Sequence, residues 1–329
     1  MRSQLEFEEN YEVGSCEQKD AAALACGLYS LTFQLRDHFS WSSHPGSTLR
    51  GIWGKALREL SCSQKERDRC EGCPMAFECV YAHVFMPRIL VQEPQPSPFV
   101  PYVIEPPRSQ HTWEKGDCFQ FKWIVFNKAL PMLHLLLQAW VLAFKKGIGP
   151  KRVRGDLVSV VLEQDGVCYG SDDEPFYAPQ LTIPDIQATS IELRHLSPMR
   201  IELSKKPLHP RELNPKEMII SLLRRIDLCC TDQTYFGTNE RYKPYIEAAK
   251  RLHFEGQLEW EDEQRYSFRQ MQKIPLGGVV GHWRWFGQED DLSLLTPLLY
   301  IGQWLHVGKE TVFGLGLYEL DVLDSCNEV

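Results

Sequence analysis

Residues 129–162, ALPMLHLLLQAWVLAFKKGIGPKRVRGDLVSVVL, contain the pattern that decides the fold. An apolar stretch with helical spacing is followed by a loop of glycines and cations, and then by alternating apolar residues that predict a strand over 157–163. Gly147 is suited to end the helix because glycine tolerates a positive φ. The same order of helix, glycine-rich loop and strand returns at 305–320, LHVGKETVFGLGLYEL. We therefore expect two copies of one topology.

The segments upstream complete the first copy. Alternating residues predict strands, and apolar residues at helical spacing predict an amphipathic helix after the His-Pro-Gly break. The predicted strands cover 28–39, 89–92, 102–105 and 117–127, and the predicted helices run from Ser47 or Thr48 to about Leu60 and from Ala129 to Lys145. This order fits a ferredoxin-like α+β sandwich, in which two helices cover one face of a four-stranded sheet.

The second half repeats this order. Its predicted elements are a strand within 191–203, a helix capped by Asn214-Pro215 that ends near Cys230, a partly helical insert at 241–254, strands at 264–274 and 279–286, and a helix at 294–304. The fold class is therefore α+β, with tandem ferredoxin-like (RRM-like, βαββαβ) domains. The predicted boundaries are an acidic arm at 1–26, a first domain at 27–187 with an insert at 62–86, a second domain at 188–322 and an acidic tail at 323–329.

The charge of the chain is unevenly distributed. The 329 residues carry 36 Lys plus Arg against 44 Asp plus Glu, a net charge of −8, which taken as an average argues against binding nucleic acid. Seven of the eight excess negative charges, however, lie in residues 1–20 and 321–329, whereas cations gather at 145–154. A local basic surface is what phosphate recognition requires.

No targeting or membrane segment is predicted. The longest apolar stretch, residues 129–144, is too short to span a bilayer and is interrupted by Pro131, His134 and Gln138. The N-terminal residues lack the pattern of a signal peptide. Eleven cysteines, an odd number, argue against a disulfide scaffold. The expected location is the cytoplasm.

Four of the cysteines form a compact motif. Cys62, Cys70, Cys73 and Cys79 are spaced C-x7-C-x2-C-x5-C within a polar segment. Four thiolates at this spacing suit a closed tetrahedral zinc site, and a 4Fe-4S cluster is the alternative. We expect a structural metal that clips the long insert. The same cysteines leave open a different class of function, a zinc or iron–sulfur regulatory protein.

Several segments together resemble a known family. They are STLRGIWGKALREL (47–60), CVYAHVF (79–85), VPYVIEPP (100–107), GIGPKRVRG (147–155), RYSFRQMQKIPLGGVVG (265–281) and LHVGKETVFGLGLYEL (305–320). In this order they resemble the CRISPR repeat-processing endoribonucleases of the RAMP superfamily, the sixth Cas family. The resemblance runs from about Gly27 to Leu320 and implies tandem ferredoxin-like domains. It also implies metal-independent attack of a ribose 2′-OH on the adjacent phosphate of CRISPR repeat RNA.

The resemblance directs attention to particular side chains. Relatives often carry a histidine after R-G-x-aromatic-G in the first helix, where this chain has Lys55. His44 is then a candidate for acid–base work, with Lys55 stabilising charge and Tyr29 as a further candidate. The candidate RNA contacts are Lys151, Arg152, Arg154, Arg265, Arg269, Gln270, His306, Gly308, Lys309, Thr311, Phe313, Gly314 and Gly316.

The missing helix histidine leaves a second interpretation open. The chain could be a non-catalytic RAMP subunit that binds crRNA or other Cas proteins in an effector complex. An active endoribonuclease could also remain bound to its product as a subunit of such a complex. Cleavage activity distinguishes the enzyme from the binding subunit.

Overall fold

The computed structural model describes residues 23–41, 45–91, 98–108, 112–169, 179–231, 240–262, 264–267 and 272–323. Its strands are β1 (Ala23–Leu35), β2 (Phe39–Ser40), β3 (Tyr102–Glu105), β4 (Thr112–Trp113), β5 (Cys118–Phe126), β6 (Gly155–Leu162), β7 (Val167–Tyr169), β8 (Gln180–Thr182), β9 (Ser190–Met199), β10 (Glu202–Leu203), β11 (Lys206–Pro207), β12 (His253–Glu261), β13 (Gln264–Ser267), β14 (Gln272–Pro275), β15 (Gly278–Phe286) and β16 (Tyr318–Val322). Its α-helices are α1 (Pro45–Ser61), α2 (Val80–Val84), α3 (Leu133–Lys146), α4 (Pro215–Thr231), α5 (Lys243–Arg251) and α6 (Glu289–Leu305).

The first sheet has the antiparallel order β3-β5-β1-β6-β7. Without the short β7, this is the strand order of a ferredoxin-like sandwich, with β1 and β5 in the centre. Helices α1 and α3 cover one face of this sheet. Between them, the Trp53 ring stacks on Trp140 at 5.5 Å between centroids, and its Nε1 donates to the Leu136 carbonyl at 3.1 Å. Apolar burial of such rings is the main stabilising contribution to this core.

The second sheet repeats the arrangement with the order β12-β15-β9-β16. Helices α4 and α6 belong to this unit, and α5 packs beside both. Asn214 caps α4 as its position predicts, because its side-chain oxygen accepts from the Glu217 backbone N–H at 3.2 Å. The predicted tandem of ferredoxin-like domains is confirmed.

Two predicted strands are wrong. Residues Pro87–Leu90 form a 3₁₀ turn where a strand at 89–92 was expected, since the turn begins with proline at its first position. The second strand of the second domain is β12 instead of 264–274, where the structure has the separate hairpin β13-β14. β12 lies at a sheet edge and is mostly exposed, although Phe254, Leu258 and Trp260 alternate with polar residues, so its strand pattern was present in the sequence and was missed.

The other face of the first sheet meets the second domain. Ile124 and Val103 form a buried apolar cluster with Ile301 and Leu305 of α6. Arg225 of α4 donates two hydrogen bonds, 3.0 and 2.6 Å, to the Leu305 carbonyl at the end of α6. A cation at a helix C-terminus is favourable. The apolar cluster holds the end of α6, and with it the start of the C-terminal glycine-rich loop, against the first domain, while Arg225 joins that end to α4.

A buried histidine in the second core predicts acid sensitivity. Within the described residues, neither ring nitrogen of His195 on β9 has a hydrogen-bond partner, and burial lowers its pKa to about 3. The unfolded chain takes up a proton near pH 6.5, so stability is lost as the pH falls from about 6.5 towards 3. At about pH 5 the loss is roughly 2 kcal/mol.

We therefore expect His195→Phe to reduce the loss of stability on acidification. Urea unfolding at about pH 7.5 and about pH 5 measures the loss of unfolding free energy for each chain. An equal drop in the free energy of unfolding for the variant and the unmodified chain would contradict the assignment.

Candidate nucleic-acid interface

The glycine-rich loop, residues 306–316, lies at the seam between the two domains. A Cβ at Gly308 would stand 2.4 Å from the Arg200 carbonyl oxygen of the second domain. A Cβ at Gly314 would stand 2.7 Å from the Ile104 carbonyl oxygen of the first domain. Both glycines also have positive φ, +93° and +87°. The glycines therefore let the loop pack closely against both domains.

The loop also touches the N-terminus of α1. A Cβ at Gly46 would stand 2.1 Å from the Phe313 carbonyl oxygen. One turn later, the Arg50 guanidinium lies 4.0 Å from the Phe85 ring centroid and 5.6 Å from that of Phe313. Arg50 Nε also donates to the Tyr102 hydroxyl at 2.8 Å. Arg50 thus connects α1, β3 and the loop, a role that its place in the quoted RGIWG segment did not reveal.

Two glycines of α1 give a matched pair of variants with opposite expected signs. Gly51→Ala meets no atom within 4 Å and should stabilise the chain by about 0.5–1 kcal/mol, because alanine favours a helix. Gly46→Ala should destabilise it, because the methyl group would displace the Phe313 backbone. Thermal unfolding of both variants measures this. Stabilisation by Gly46→Ala would show that the loop does not pack here.

His306, predicted as an RNA contact, is fully buried and has a structural role instead. Its Nδ1 lies 3.0 Å from the Leu315 carbonyl oxygen, and its Nε2 lies 3.0 Å from Glu105 Oε1 on β3. Both partners are oxygen acceptors, so a ring nitrogen that carries a hydrogen donates to the oxygen beside it. His306 also has a positive φ of +58°. His306 joins the two ends of the loop and holds the loop against the first domain.

The pKa of Glu105 is set by two opposing effects. Burial raises the pKa of this carboxyl, but the hydrogen bond and charge of His306, with Arg108 and Lys122 nearby, outweigh burial. The net pKa is below the ordinary value, so Glu105 is an anion at neutral pH. The geometry is that of a buried ion pair between the domains.

An interdomain cavity of about 770 Å³ opens beside this pair. Its polar lining comes from the uncovered part of the β5 face and from the end of α6. Two cations, two amides and several aromatic rings surround it, together with Glu105 and Glu319. The side chains of interest are Arg108, Gln120, Lys122, Tyr300, Gln303 and Trp304. Such a lining can hold phosphate and stack a base.

The structure describes two of the three predicted catalytic residues. His44 lies outside the described residues, immediately before Pro45. Lys55 is exposed on α1, ten residues after Pro45, which is about 15 Å along a helix. Tyr29 is fully buried in the first core beside Trp123. Because an RNA cannot reach a side chain in that core, Tyr29 is unsuited to catalysis.

The basic loop at 145–154 lies at the opposite end of α1 from the glycine-rich loop. Lys146 pairs with Glu59 near the C-terminus of α1, about 20 Å along the helix from Gly46. Lys151, Arg152 and Arg154 are exposed, as a phosphate-binding loop requires. The structure therefore separates the two loops that the sequence pattern pairs.

The remaining predicted RNA contacts divide by exposure. Lys309 is exposed, whereas Thr311 and Phe313 are buried, so their side chains are unsuited to binding RNA. Gly316 packs on Val307, where a Cβ would stand 1.9 Å from its carbonyl oxygen. Arg265 belongs to β13, and Arg269 and Gln270 lie outside the described residues.

The four cysteines are partly buried free thiols. Cys62 follows α1, and Cys79 precedes α2. Cys70 and Cys73 are the first and last residues of one turn. In the described part of the chain, no three His, Cys, Asp or Glu side chains are close enough together to hold a metal ion as they stand.

No helix among the described residues is long and apolar enough for a membrane span.

Two family models match different parts of the chain. Residues 24–180 match AF_1859_N, described as an N-terminal domain. Residues 193–318 match the CRISPR-associated endoribonuclease Cas6 and include most of the second sheet and the glycine-rich loop. No curated protein matches the chain significantly.

Solved structures share the fold over nearly the whole chain. A Cas6 product complex matches with a TM-score of 0.56 and 15% identity, covering 91% of this chain and 99% of that one. Thermus thermophilus Cas6 matches with a TM-score of 0.51 and 13% identity over the same shares. A chain of a partial Cas6-RT-Cas1–Cas2 complex matches with a TM-score of 0.58, 14% identity and 93% coverage. This protein spans 47% of that longer chain. Residues 193–318 thus match the family model of the CRISPR-associated endoribonuclease Cas6, and the chain as a whole shares the tandem fold of solved Cas6 structures.

Proposed function

We propose that the chain binds CRISPR repeat RNA and cleaves it once to release mature crRNA. We base this on the contact between the glycine-rich loop, inside the Cas6-matching region, and the N-terminus of α1. A helix N-terminus directs free backbone N–H groups outward, and a glycine-rich loop lets a phosphate approach closely. The scissile phosphate is proposed to sit where these two elements meet.

The proposed reaction is an intramolecular transesterification. The ribose 2′-oxygen forms a bond to the adjacent phosphorus as the bond to the 5′-oxygen breaks. A base removes the 2′-OH proton and an acid protonates the leaving 5′-oxygen, giving a 2′,3′-cyclic phosphate and a 5′-hydroxyl. His44, the residue before Pro45 in the sequence, is assigned the acid–base role. Arg50 is the nearby cation that we assign to the negative charge developing on the phosphate.

The interdomain cavity is proposed to hold unpaired nucleotides flanking the cleavage site. Arg108 and Lys122 supply cations for the backbone, and Trp304 offers a ring for stacking. The basic loop at 145–154 would contact a more distant part of the RNA, about 20 Å away along α1. Binding should weaken steeply with salt, because each phosphate contact releases counterions.

The decisive experiment incubates the full chain with its repeat RNA in EDTA, with and without a 2′-deoxy substitution at the cleaved position. Cleavage that persists in EDTA and stops with the 2′-deoxy RNA supports the proposed reaction. Tight binding without cleavage would favour the non-catalytic RAMP subunit. Absence of RNA binding would instead favour a regulatory protein built around the cysteines.

We also propose that the chain works with other Cas proteins in the cytoplasm. The similar chain of the Cas6-RT-Cas1–Cas2 complex supports this proposal. Retention of the processed RNA as a subunit of an effector complex is a further part of the proposal. Co-purification of the tagged chain with crRNA and Cas proteins from its own cells tests it, and recovery of the chain alone would contradict it.

A further inference from the structure

We infer that Cys62, Cys70, Cys73 and Cys79 bind one zinc ion that fixes α2 against α1, and through α2 positions Arg50 beside the glycine-rich loop. This inference does not depend on RNA cleavage. Zinc is the commonest structural ion for four thiolates, and the C-x2-C pair gives two ligands from one turn. The ion would hold the parts of the insert together and take no part in a reaction.

Each cysteine occupies a point where the chain changes direction. The Cys62 backbone N–H donates to the Arg58 carbonyl at 2.9 Å, at the end of α1. The Cys73 N–H donates to the Cys70 carbonyl at 3.1 Å, and Gly72 between them has a φ of +69°. A turn of this kind presents two side chains from neighbouring positions. Cys79 immediately precedes α2.

Cys62, Cys73 and Cys79 all lie within electrostatic range of the Cys70 thiol. The helix end at Cys62, the turn from Cys70 to Cys73 and the start of α2 after Cys79 therefore bring the four cysteines to one region of the insert. Four thiol ligands in one region are the donor set of a structural zinc site.

Zinc binding requires the sulfur atoms to move closer together than they lie in the structure, where they do not yet form a ligand set. The segment between the cysteines can make this movement, because most side chains from Ser63 to Met75 are exposed or only partly buried. Two side-chain hydrogen bonds restrain it, from Arg67 Nη2 to the Gly72 carbonyl at 3.3 Å and from Arg58 Nη2 of α1 to the Arg67 carbonyl. The cost is therefore small compared with zinc–thiolate binding.

The position of α2 bears directly on the candidate RNA site. Phe85, at the end of α2, packs so closely on α1 that a Cβ at Gly54 would stand 2.2 Å from its ring. The Phe85 carbonyl accepts from Arg50 Nη2 at 3.3 Å, and its ring lies under the Arg50 guanidinium. Arg50 in turn faces Phe313. Loosening α2 would thus release Arg50 from the glycine-rich loop.

Metal analysis of the full chain, purified without added metal or chelator, tests the inference. We expect about one zinc per chain in the unmodified protein and in Cys118→Ser, whose cysteine is exposed on β5 away from the motif. Cys70→Ser and Cys73→Ser should each lose the bound zinc. Retention of a full equivalent by both variants would overturn the assignment, and so would bound iron with acid-labile sulfide.

A second measurement keeps the inference testable if these variants fold poorly. The unmodified chain is stripped of metal and titrated with Co²⁺, which gives intense visible bands in a tetrahedral thiolate site. Saturation at about one equivalent, reversed by zinc, supports the site. Trypsin should also cut the metal-stripped chain faster at Lys65 or Arg69, and zinc should restore protection. Absence of the cobalt bands would overturn the inference.

Discussion

Replacing Glu105 with alanine should destabilise the chain by about 3–5 kcal/mol, the usual cost of removing one partner of a buried ion pair. The His306 ring is fully buried and the Glu105 side chain is 11% exposed. The variant would leave Nε2 of the buried His306 ring facing the first domain without its hydrogen-bond partner. Because the pair joins β3 to the loop after α6, the seam between the domains should weaken first. Urea unfolding followed by tryptophan fluorescence measures the loss.

Glu114→Ala is the matched control for this prediction. Glu114 also pairs with a histidine, His38, at 3.2 Å, but both side chains are largely exposed. Its removal should cost less than about 1 kcal/mol. Equal losses of unfolding free energy in the two variants would contradict the assignment of Glu105 and His306 as a buried pair between the domains.

The pH dependence has a defined sign. The pKa of Glu105 is below its ordinary value in the folded chain. Its contribution to stability is therefore present above the ordinary carboxyl pKa and is lost as the pH falls through the folded value. Glu105→Ala should consequently lose less stability than the unmodified chain on acidification in that range. A larger acid loss in the variant would reverse the sign and contradict the assignment.

The repeating order of elements was predictable from sequence because it depends on local patterns. The strand at 102–105, the cap at Asn214 and the helix–loop–strand units all follow from residue spacing and turn chemistry. The edge strand β12 was missed although Phe254, Leu258 and Trp260 alternate with polar residues along it. Its start at His253 directly follows α5, which ends at Arg251, so residues 253 and 254 were assigned to the partly helical insert.

The site was less predictable because it depends on contacts between distant segments. Glu105 and His306 are 201 positions apart, and no spacing rule connects them. His306 was predicted to contact RNA because it begins a glycine-rich loop, but the second domain folds so that its ring points into the seam. The glycines at 308, 314 and 316 were predicted to approach a phosphate, and what they approach in the structure is the backbone of the protein itself.

His44→Ala should slow cleavage of the repeat RNA by roughly 10²–10⁴-fold, the usual contribution of one general acid or base. RNA affinity should stay within about threefold, because the imidazole is assigned to proton transfer and the cations to binding. Single-turnover cleavage and filter binding on the same preparation separate the two quantities. His134→Ala is the control, since His134 is exposed on α3 and bonds only to Gln138 at 2.8 Å among the described residues.

Lys55→Ala distinguishes the sequence-based assignment from the structural one. The sequence pattern placed Lys55 at the position of the family's helix histidine and predicted a catalytic role. The structure places Lys55 about 15 Å along α1 from Pro45, away from the end of the helix that contacts the glycine-rich loop. We therefore expect Lys55→Ala to cleave at nearly the normal rate. Slow cleavage by Lys55→Ala together with normal cleavage by His44→Ala would move the reaction centre to the middle of α1, and the glycine-rich loop would then bind RNA away from the cleaved bond.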